Sequence, residues 1–205
     1  MIKFSELGIQ DYSGIWQQMV AFTQQRDTTV NDEAWFLEHY PIFTLGTSTC
    51  DEDIVNLSHT IPIVKTDRGG KITYHGPGQL IGYILYDLRR NNIKPKTLVY
   101  LIEKSIIDML AECSIEAHTI PGFPGVYVNN CKIASLGIKI CHGCCYHGLS
   151  INVDMDLVPF SYINPCGIKK LKVVNMSDLL EDINVEKVIP LCKKHLNKYL
   201  NYEFI

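Results

Sequence analysis

The stretch 61–88, IPIVKTDRGGKITYHGPGQLIGYILYDL, holds three apolar or β-rich pieces, IPIVKT, KITY and LIGYILYDL, parted by Gly69-Gly70 and by Gly76-Pro77-Gly78. Short apolar pieces bounded by glycine read as strands joined by tight turns. Toward the N-terminus, 34–37 (AWFL) and 42–45 (IFTL) are aromatic and flanked by Pro41 and Gly46, and they read as two further strands. Toward the C-terminus, 125–128, 132–140 and 146–153 add three more, with Asn129-Asn130 as the first turn between them.

Helical periodicity is confined to three places. Ile15, Met19 and Phe22, with Trp16 and Val20 one step round, form an amphipathic stripe over 14–22, and Ser13 is its expected cap. Leu98, Leu101, Ile102, Ile106, Met109 and Leu110 line one face of 98–111, behind Pro95 and an expected Thr97 cap. Over 177–200, Ile189, Cys192, Leu196 and Tyr199 share a face, with Pro190 expected to kink or restart the helix. Many adjacent strands and few helices predict an α+β domain built on a mixed β-sheet. We expect one domain over 1–205, with the helical segment of about 175–205 packed on it.

The chain has 205 residues, 46% apolar and 20% charged, enough for a core that needs no staples. Its 19 Lys plus Arg against 22 Asp plus Glu argue against whole-surface attraction to nucleic acid or to anionic membrane. The longest membrane candidate, 80–88, falls far short of the roughly 20 apolar residues a spanning helix needs. The first residues, MIKFSEL, lack the pattern of an export signal, and the eight cysteines are too irregularly spaced for a disulfide framework. Both features point to the reducing cytoplasm.

Arg68-Gly-Gly-Lys-Ile-Thr-Tyr-His-Gly-Pro-Gly78 is the segment densest in chemistry: its glycines let backbone N–H groups approach a ligand, and its basic residues can hold phosphate or carboxylate. It is neither a P-loop nor a Rossmann fingerprint. Cys141-His-Gly-Cys-Cys-Tyr-His147 has soft ligands but no second cluster to close a zinc site, so no metal is expected. Cys50, Cys113, Cys131 and Cys192 read as small buried hydrophobes. Cys166 differs, because Asn164-Pro-Cys-Gly167 displays it in a loop, where a cation or base would make it a nucleophile; His39, His75, His147 and Lys132 are the candidates. Lys132 opens a strand whose face would have to line a pocket for it to move protons, and Ser135 and Gly137 in that strand have backbone N–H groups to offer an oxyanion.

Taken in order, HYPIFTLG (39–46), RGGKITYHGPGQL (68–80), KIASLG (132–137), HGLSINVD (147–154) and NPCG (164–167) resemble the motifs of the lipoyl(octanoyl) transferases. The resemblance implies the fold of the biotin/lipoate protein ligases. It also implies an enzyme that moves an octanoyl group from octanoyl-acyl carrier protein to a lysine ε-amine of a lipoyl domain. Acceptors would be the E2 subunits of 2-oxoacid dehydrogenases and the H protein of glycine cleavage. Carried over by motif, Cys166 is the acyl-thioester nucleophile, and Lys132 activates it and moves protons. The acyl pocket is lined by Arg68, Gly69, Gly70, Lys71, Ile72, Thr73, Tyr74 and His75, by Ser135, Leu136 and Gly137, and by Gly148, Leu149 and Ser150. No cofactor is implied, and the enzyme is expected to be a monomer with no nucleic-acid or membrane partner. An acidic carrier protein would dock on a local basic patch, either Arg89, Arg90, Lys94 and Lys96 or Lys169, Lys170 and Lys172. Rival readings are an ATP-dependent lipoate or biotin ligase on the same fold, a non-catalytic binding module, and a Cys/His hydrolase.

Overall fold

The computed structural model describes residues 2–56, 60–168 and 171–201. Its larger sheet has seven strands, in the order β1 (Lys3–Gln10), β2 (Glu33–His39), β6 (Gln79–Asp87), β10 (Cys144–Asn152), β9 (Cys131–Cys141), β8 (Phe123–Val128) and β7 (His118–Ile120). β1 and β2 run parallel and the remaining neighbours antiparallel, so the sheet is mixed. A smaller sheet, β4 (Ile63–Lys65), β3 (Ile42–Leu45) and β5 (Thr73–His75), lies apart from it.

β6 and β10 are buried along their whole length, which is why they sit at the sheet centre and read as apolar runs without a polar face. Alternation then distributes their side chains to two cores. Leu80, Ile84 and Tyr86 pack with Leu98, Ile102 and Met109 of α2 (Pro95–Glu112) and Val188 and Leu196 of α3 (Val185–Leu200). On the other face Ile81, Tyr83 and Leu85 meet Ile15 and Met19 of α1 (Tyr12–Gln25). The helical C-terminal segment therefore packs on the main core through α2.

The sequence-based elements differ from the structure mainly at their ends. α1 is capped by Asp11, whose carboxylate accepts Gly14 N–H at 3.0 Å, and not by Ser13. α2 starts at Pro95 behind Lys94, with no side-chain cap, because proline's fixed φ already suits the first helical position and it has no N–H to satisfy there; Thr97 lies inside the first turn. α3 is continuous through Pro190, whose ring is exposed near the helix start, whereas the residues before Asn184 form turns. Two strands were not anticipated. β1 lacks alternation because its register with β2 shifts between Glu6 and Ile9, around Gly8 at φ +65°, and β7 has only three residues.

The turns follow their chemistry. Asn129 and Asn130, with φ of 48° and 64°, link β8 to β9, and His142 and Gly143, with φ of 48° and 77°, link β9 to β10. The Cys141–Cys145 run thus decorates a hairpin tip, with Cys141 opposite Cys144 and Cys145 fully buried.

At Gly148 the sheet leaves no room for a side chain: a Cβ there would lie 2.1 Å from the Gly82 carbonyl oxygen. Because the obstruction is backbone in two central strands, we expect Gly148→Ala to cost about 2 kcal/mol or more, read as a lowered denaturation midpoint. A midpoint equal to wild type would show that β6 and β10 are not packed this closely.

Candidate active site

Lys132 reaches its place through a defect in the ladder. Tyr127 of β8 faces Lys132 but Val126 faces Ala134, so β9 carries an extra residue at Ile133, a bulge that re-aims the side chains beside it. The lysine is 2% exposed, and its ammonium donates to Pro124 O and to Cys166 Sγ, both at 2.8 Å. Gly125 makes room for it: a Cβ there would lie 2.5 Å from Lys132 Cε, and the glycine's φ is +134°.

The backbone of Lys132 also delivers its partner. Its N–H donates to Lys172 O and its carbonyl accepts Val174 N–H, which zips 172–174 alongside β9. The other end of the Cys166 loop is tied down by Asn164, whose N–H donates to Asp53 O at 2.7 Å and whose Nδ2 donates to Glu52 O at 2.8 Å. Between these anchors Cys166 adopts φ 59°, ψ 12°, a left-handed conformation costly for a non-glycine residue and held only because both flanks are fixed.

Cys166 and Lys132 open into a cavity of about 360 Å³, near the lower end of the roughly 300–1,000 Å³ of small-ligand sites. The sequence-expected residues Arg68, Gly69, Gly70, Lys71, Ile72, Thr73, His75, Ser135, Leu136, Gly137, Gly148, Leu149 and Ser150 all line it. Tyr74 does not: strand alternation turns it away from Thr73 and His75, against Phe43 and Phe160 at 5.5 and 5.8 Å between ring centroids. Tyr12, Tyr83, Val99 and Phe123 also line the cavity, and they come from α1, β6, α2 and β8, segments with no local motif to announce them. Ser135 is flanked by Gly125 of β8 and Ser150 of β10, so its N–H belongs to the ladder and not to an oxyanion site.

Arg68 is buried and, among the described residues, has no ion pair with a carboxylate; its guanidinium donates to Thr44 O, Thr44 Oγ1 and Gly69 O. Its neighbour Asp67 anchors the segment, accepting from Trp16 Nε1 at 3.0 Å, His147 Nε2 at 2.9 Å and Tyr146 OH. Burial raises the Asp67 carboxyl, but the His147 and Tyr146 hydrogen bonds outweigh it and hold it at about 2.

Of the four candidate partners for Cys166, only Lys132 is hydrogen-bonded to it. His39 donates from Nδ1 to Gln10 O and accepts the Tyr83 hydroxyl at Nε2, and His75 donates from Nδ1 to Gln79 Oε1. Burial pushes His39 down to about 4 and His75 down to about 3, and burial also lowers His147 against the pull of Asp67. These rings are neutral architecture.

Expectations for the cysteines outside the site need correction. Cys50 is exposed, accepting from Lys71 Nζ at 3.3 Å and donating to Asp53 at 3.2 Å, because it precedes a single helical turn that binds the Cys166 loop. Cys113 and Cys131 are half-buried, and Cys192 is buried in the α3 face. Arg89 and Arg90 follow β6 at its Asp87 end, whereas Lys132 lies toward the Leu80 end, seven residues or roughly 23 Å away at ~3.3 Å per residue. Arg90 is moreover bound to Asp32 at 2.7 Å and to Val30 O at 2.7 Å. Lys169 and Lys170 lie outside the described residues, and Lys172 is exposed beside Lys132.

The buried rings set an acid limit. Their folded values lie below the unfolded value of ~6.5, so as pH falls the unfolded chain binds protons first and stability drops. The Asp67 carboxyl, held below its unfolded value, acts in the same direction at lower pH. We expect the unfolding free energy to fall from about pH 6.5 downward, by on the order of 1.4 kcal/mol per pH unit for each such histidine. A denaturant midpoint that stays constant down to about pH 5 would contradict neutral burial of these rings.

A model of the lipoyl protein ligase A/B catalytic domain matches residues 11–197. An octanoyltransferase of Vesicomyosocius okutanii is 50% identical over 202 residues, covering 98% of this chain and 97% of that protein, and one of Chromobacterium violaceum is 49% identical over 195 residues, covering 93% and 94%. Among solved structures, lipoate-protein ligase A bound with ATP superposes with a TM-score of 0.81 at 15% identity, over 99% of this chain and 87% of that one. Biotin protein ligase from Aquifex aeolicus, in complex with biotin and ATP, does so at 0.61 and 12% identity, over 98% and 70%. The structural likeness carries the α+β fold of these ligases; the sequence identity carries more, and this chain belongs to the octanoyltransferases, acyl-transferring enzymes within the lipoyl protein ligase A/B catalytic-domain family.

Proposed function

We propose that this enzyme takes the octanoyl group from octanoyl-acyl carrier protein onto Cys166 as a thioester and passes it to a lysine ε-amine of a lipoyl domain. The contact that carries the reading is Lys132 Nζ at 2.8 Å from Cys166 Sγ at the wall of the cavity. In the first step the Cys166 sulfur attacks the thioester carbonyl, the carrier's sulfur leaves, and Lys132 supplies the leaving thiol's proton. The exchange trades one thioester for another, so it is nearly neutral in free energy and needs no ATP. Lys132, now a neutral amine, takes the proton of the incoming lysine as nitrogen attacks the acyl-enzyme and Cys166 leaves. Formation of an amide from a thioester drives this second step.

The wall suits the cargo. Ile72, Leu136, Leu149 and Val99 supply apolar surface, and the seven carbons beyond the carbonyl would gain about 5 kcal/mol at ~0.8 kcal/mol per buried CH₂. Arg68 and Lys132 keep the polar part cationic, which favours the tetrahedral oxyanion. The carrier docks near Lys172, which is exposed beside Lys132. On this reading the chain works as a single-domain cytoplasmic monomer, with lipoyl domains of 2-oxoacid dehydrogenase E2 subunits and the H protein of glycine cleavage as acceptors.

The test is intact mass after incubation with octanoyl-acyl carrier protein alone. Wild type is expected to gain one octanoyl group removable by hydroxylamine, Cys166→Ser none, and Lys132→Ala to acylate about 10²–10⁴ times more slowly. An adduct retained by Cys166→Ser would sink the thioester mechanism, and modification of acceptor by ATP with free octanoate would favour a ligase.

A further inference from the structure

Glu103 lies on α2, half-buried, behind the β8 strand and outside the cavity wall. Its Oε1 accepts the Gly125 N–H at 2.8 Å. The carbonyl of that same peptide group, Pro124 O, accepts Lys132 Nζ at 2.8 Å, and Lys132 Nζ in turn donates to Cys166 Sγ at 2.8 Å. One peptide plane therefore stands between a carboxylate and the ammonium, with the negative group on its donor end and the positive group on its acceptor end. A carboxylate on the N–H draws electron density toward the carbonyl oxygen, and charge-assisted bonds in series strengthen one another.

Among the described residues, the charged and titratable groups facing Lys132 include Cys166, Glu103 through this peptide, and Tyr127, whose ring centroid is 5.3 Å from Nζ. Burial raises the Glu103 carboxyl, more than the Gly125 hydrogen bond and the Lys132 charge lower it. With its folded value above its unfolded one, the ionised carboxylate costs stability at neutral pH. A glutamine there keeps an acceptor for the Gly125 N–H without that cost. A charge held at the expense of stability beside reacting atoms is the mark of a functional group.

We propose that Glu103 is a positioning residue for octanoyl transfer, fixing Lys132 on Cys166 through the Pro124–Gly125 peptide and favouring the protonated lysine. The inference rests on the Cys166–Lys132 reading above. Its place in the reaction is specific: Lys132 enters the first step protonated and becomes protonated again in the second, when it accepts the proton of the acceptor amine. A negative charge one peptide away assists both. Nothing local in the sequence marks this residue, since it joins the site only because α2 crosses β8.

The experiment compares wild type and Glu103→Gln in three readouts: melting temperature, the rate of octanoyl-enzyme formation from octanoyl-acyl carrier protein, and the pH profile of transfer from pre-formed octanoyl-enzyme to a lipoyl domain. In the last, Cys166 is acylated and uncharged and the acceptor amine is common to both enzymes, so a difference between the two profiles reports Lys132. Glu103→Gln is expected to melt at or above the wild-type temperature. It should acylate about three- to tenfold more slowly and move the midpoint of the transfer profile down by about half to one pH unit. An unchanged midpoint overturns the proposal, whether the variant is as stable as wild type or melts early, because a purely structural glutamate would affect melting alone. Cys166→Ser is run alongside: if it loses the octanoyl adduct while Glu103→Gln matches wild type, the positioning role falls and the thioester reading stands. If Cys166→Ser keeps the adduct, both fall.

Discussion

Contact between the Lys132 ammonium and the Cys166 sulfur is the constraint around which the rest of the molecule is arranged. A lysine in a central strand would ordinarily stand in solvent, and burying it at 2% exposure is costly unless its donors are satisfied. Three features meet that cost: the Ile133 bulge that re-aims the side chain, the Pro124 carbonyl that accepts from it, and Gly125, whose missing Cβ leaves space for it. The sulfur is carried by a single 3-10 turn, Pro165–Gly167, with hydrogen-bonded anchors at Asn164 on one side and at 172–174 on the other. The strained φ of Cys166 follows from those clamps, and rigidity at both ends is what lets a left-handed cysteine persist.

The same logic applies to the cavity roof. Asp67 binds α1 through Trp16 and β10 through Tyr146 and His147, so the Arg68-Gly69-Gly70 segment is held over the sheet by side chains from both sides. Gly69 N–H then donates to Ile138 O, which closes the roof against β9. Neutral His39 and His75 pack beneath it and bond to Tyr83 and Gln79, filling polar space without adding charge. The cations that line the pocket among the described residues are Arg68, Lys71 and Lys132, with Lys71 paired to Asp53 at 2.8 Å.

Legibility tracked the range of the forces involved. The strands at 42–45 and 79–87 and helix α2 were readable because glycine, proline and apolar period are local signals. β1 was not, since its alternation is broken at Gly8 and its partner β2 lies some 30 positions on, at Lys3↔Glu33. The motif residues of the site were legible as motifs, but the alternation that turns Tyr74 away from the cavity needed the strand's actual orientation. Cys50 shows the converse: nothing beside it announces that a single helical turn would leave it exposed against Lys71. Tyr12, Tyr83 and Glu103 were silent because their membership depends on which elements cross, a property of tertiary packing alone.

Fold alone does not select the chemistry here. Ligases bound to ATP superpose on this chain at 12–15% identity, a likeness that carries the fold and leaves the chemistry to the side chains. The choice is made by a few side chains. A thiol held 2.8 Å from an ammonium can store the acyl group as a thioester, and a donor that arrives already activated makes a nucleotide unnecessary. On the reading proposed above, the ammonium gives up a proton in the first step and recovers one in the second, so its value to the reaction lies in being easily switched between two states. Burial alone would favour the neutral amine, and thiolate pairing alone would favour the charged one. On that reading the Pro124 carbonyl, with Glu103 behind it, keeps Lys132 in place after the thiolate has been consumed, which is when the acceptor's proton has to be taken.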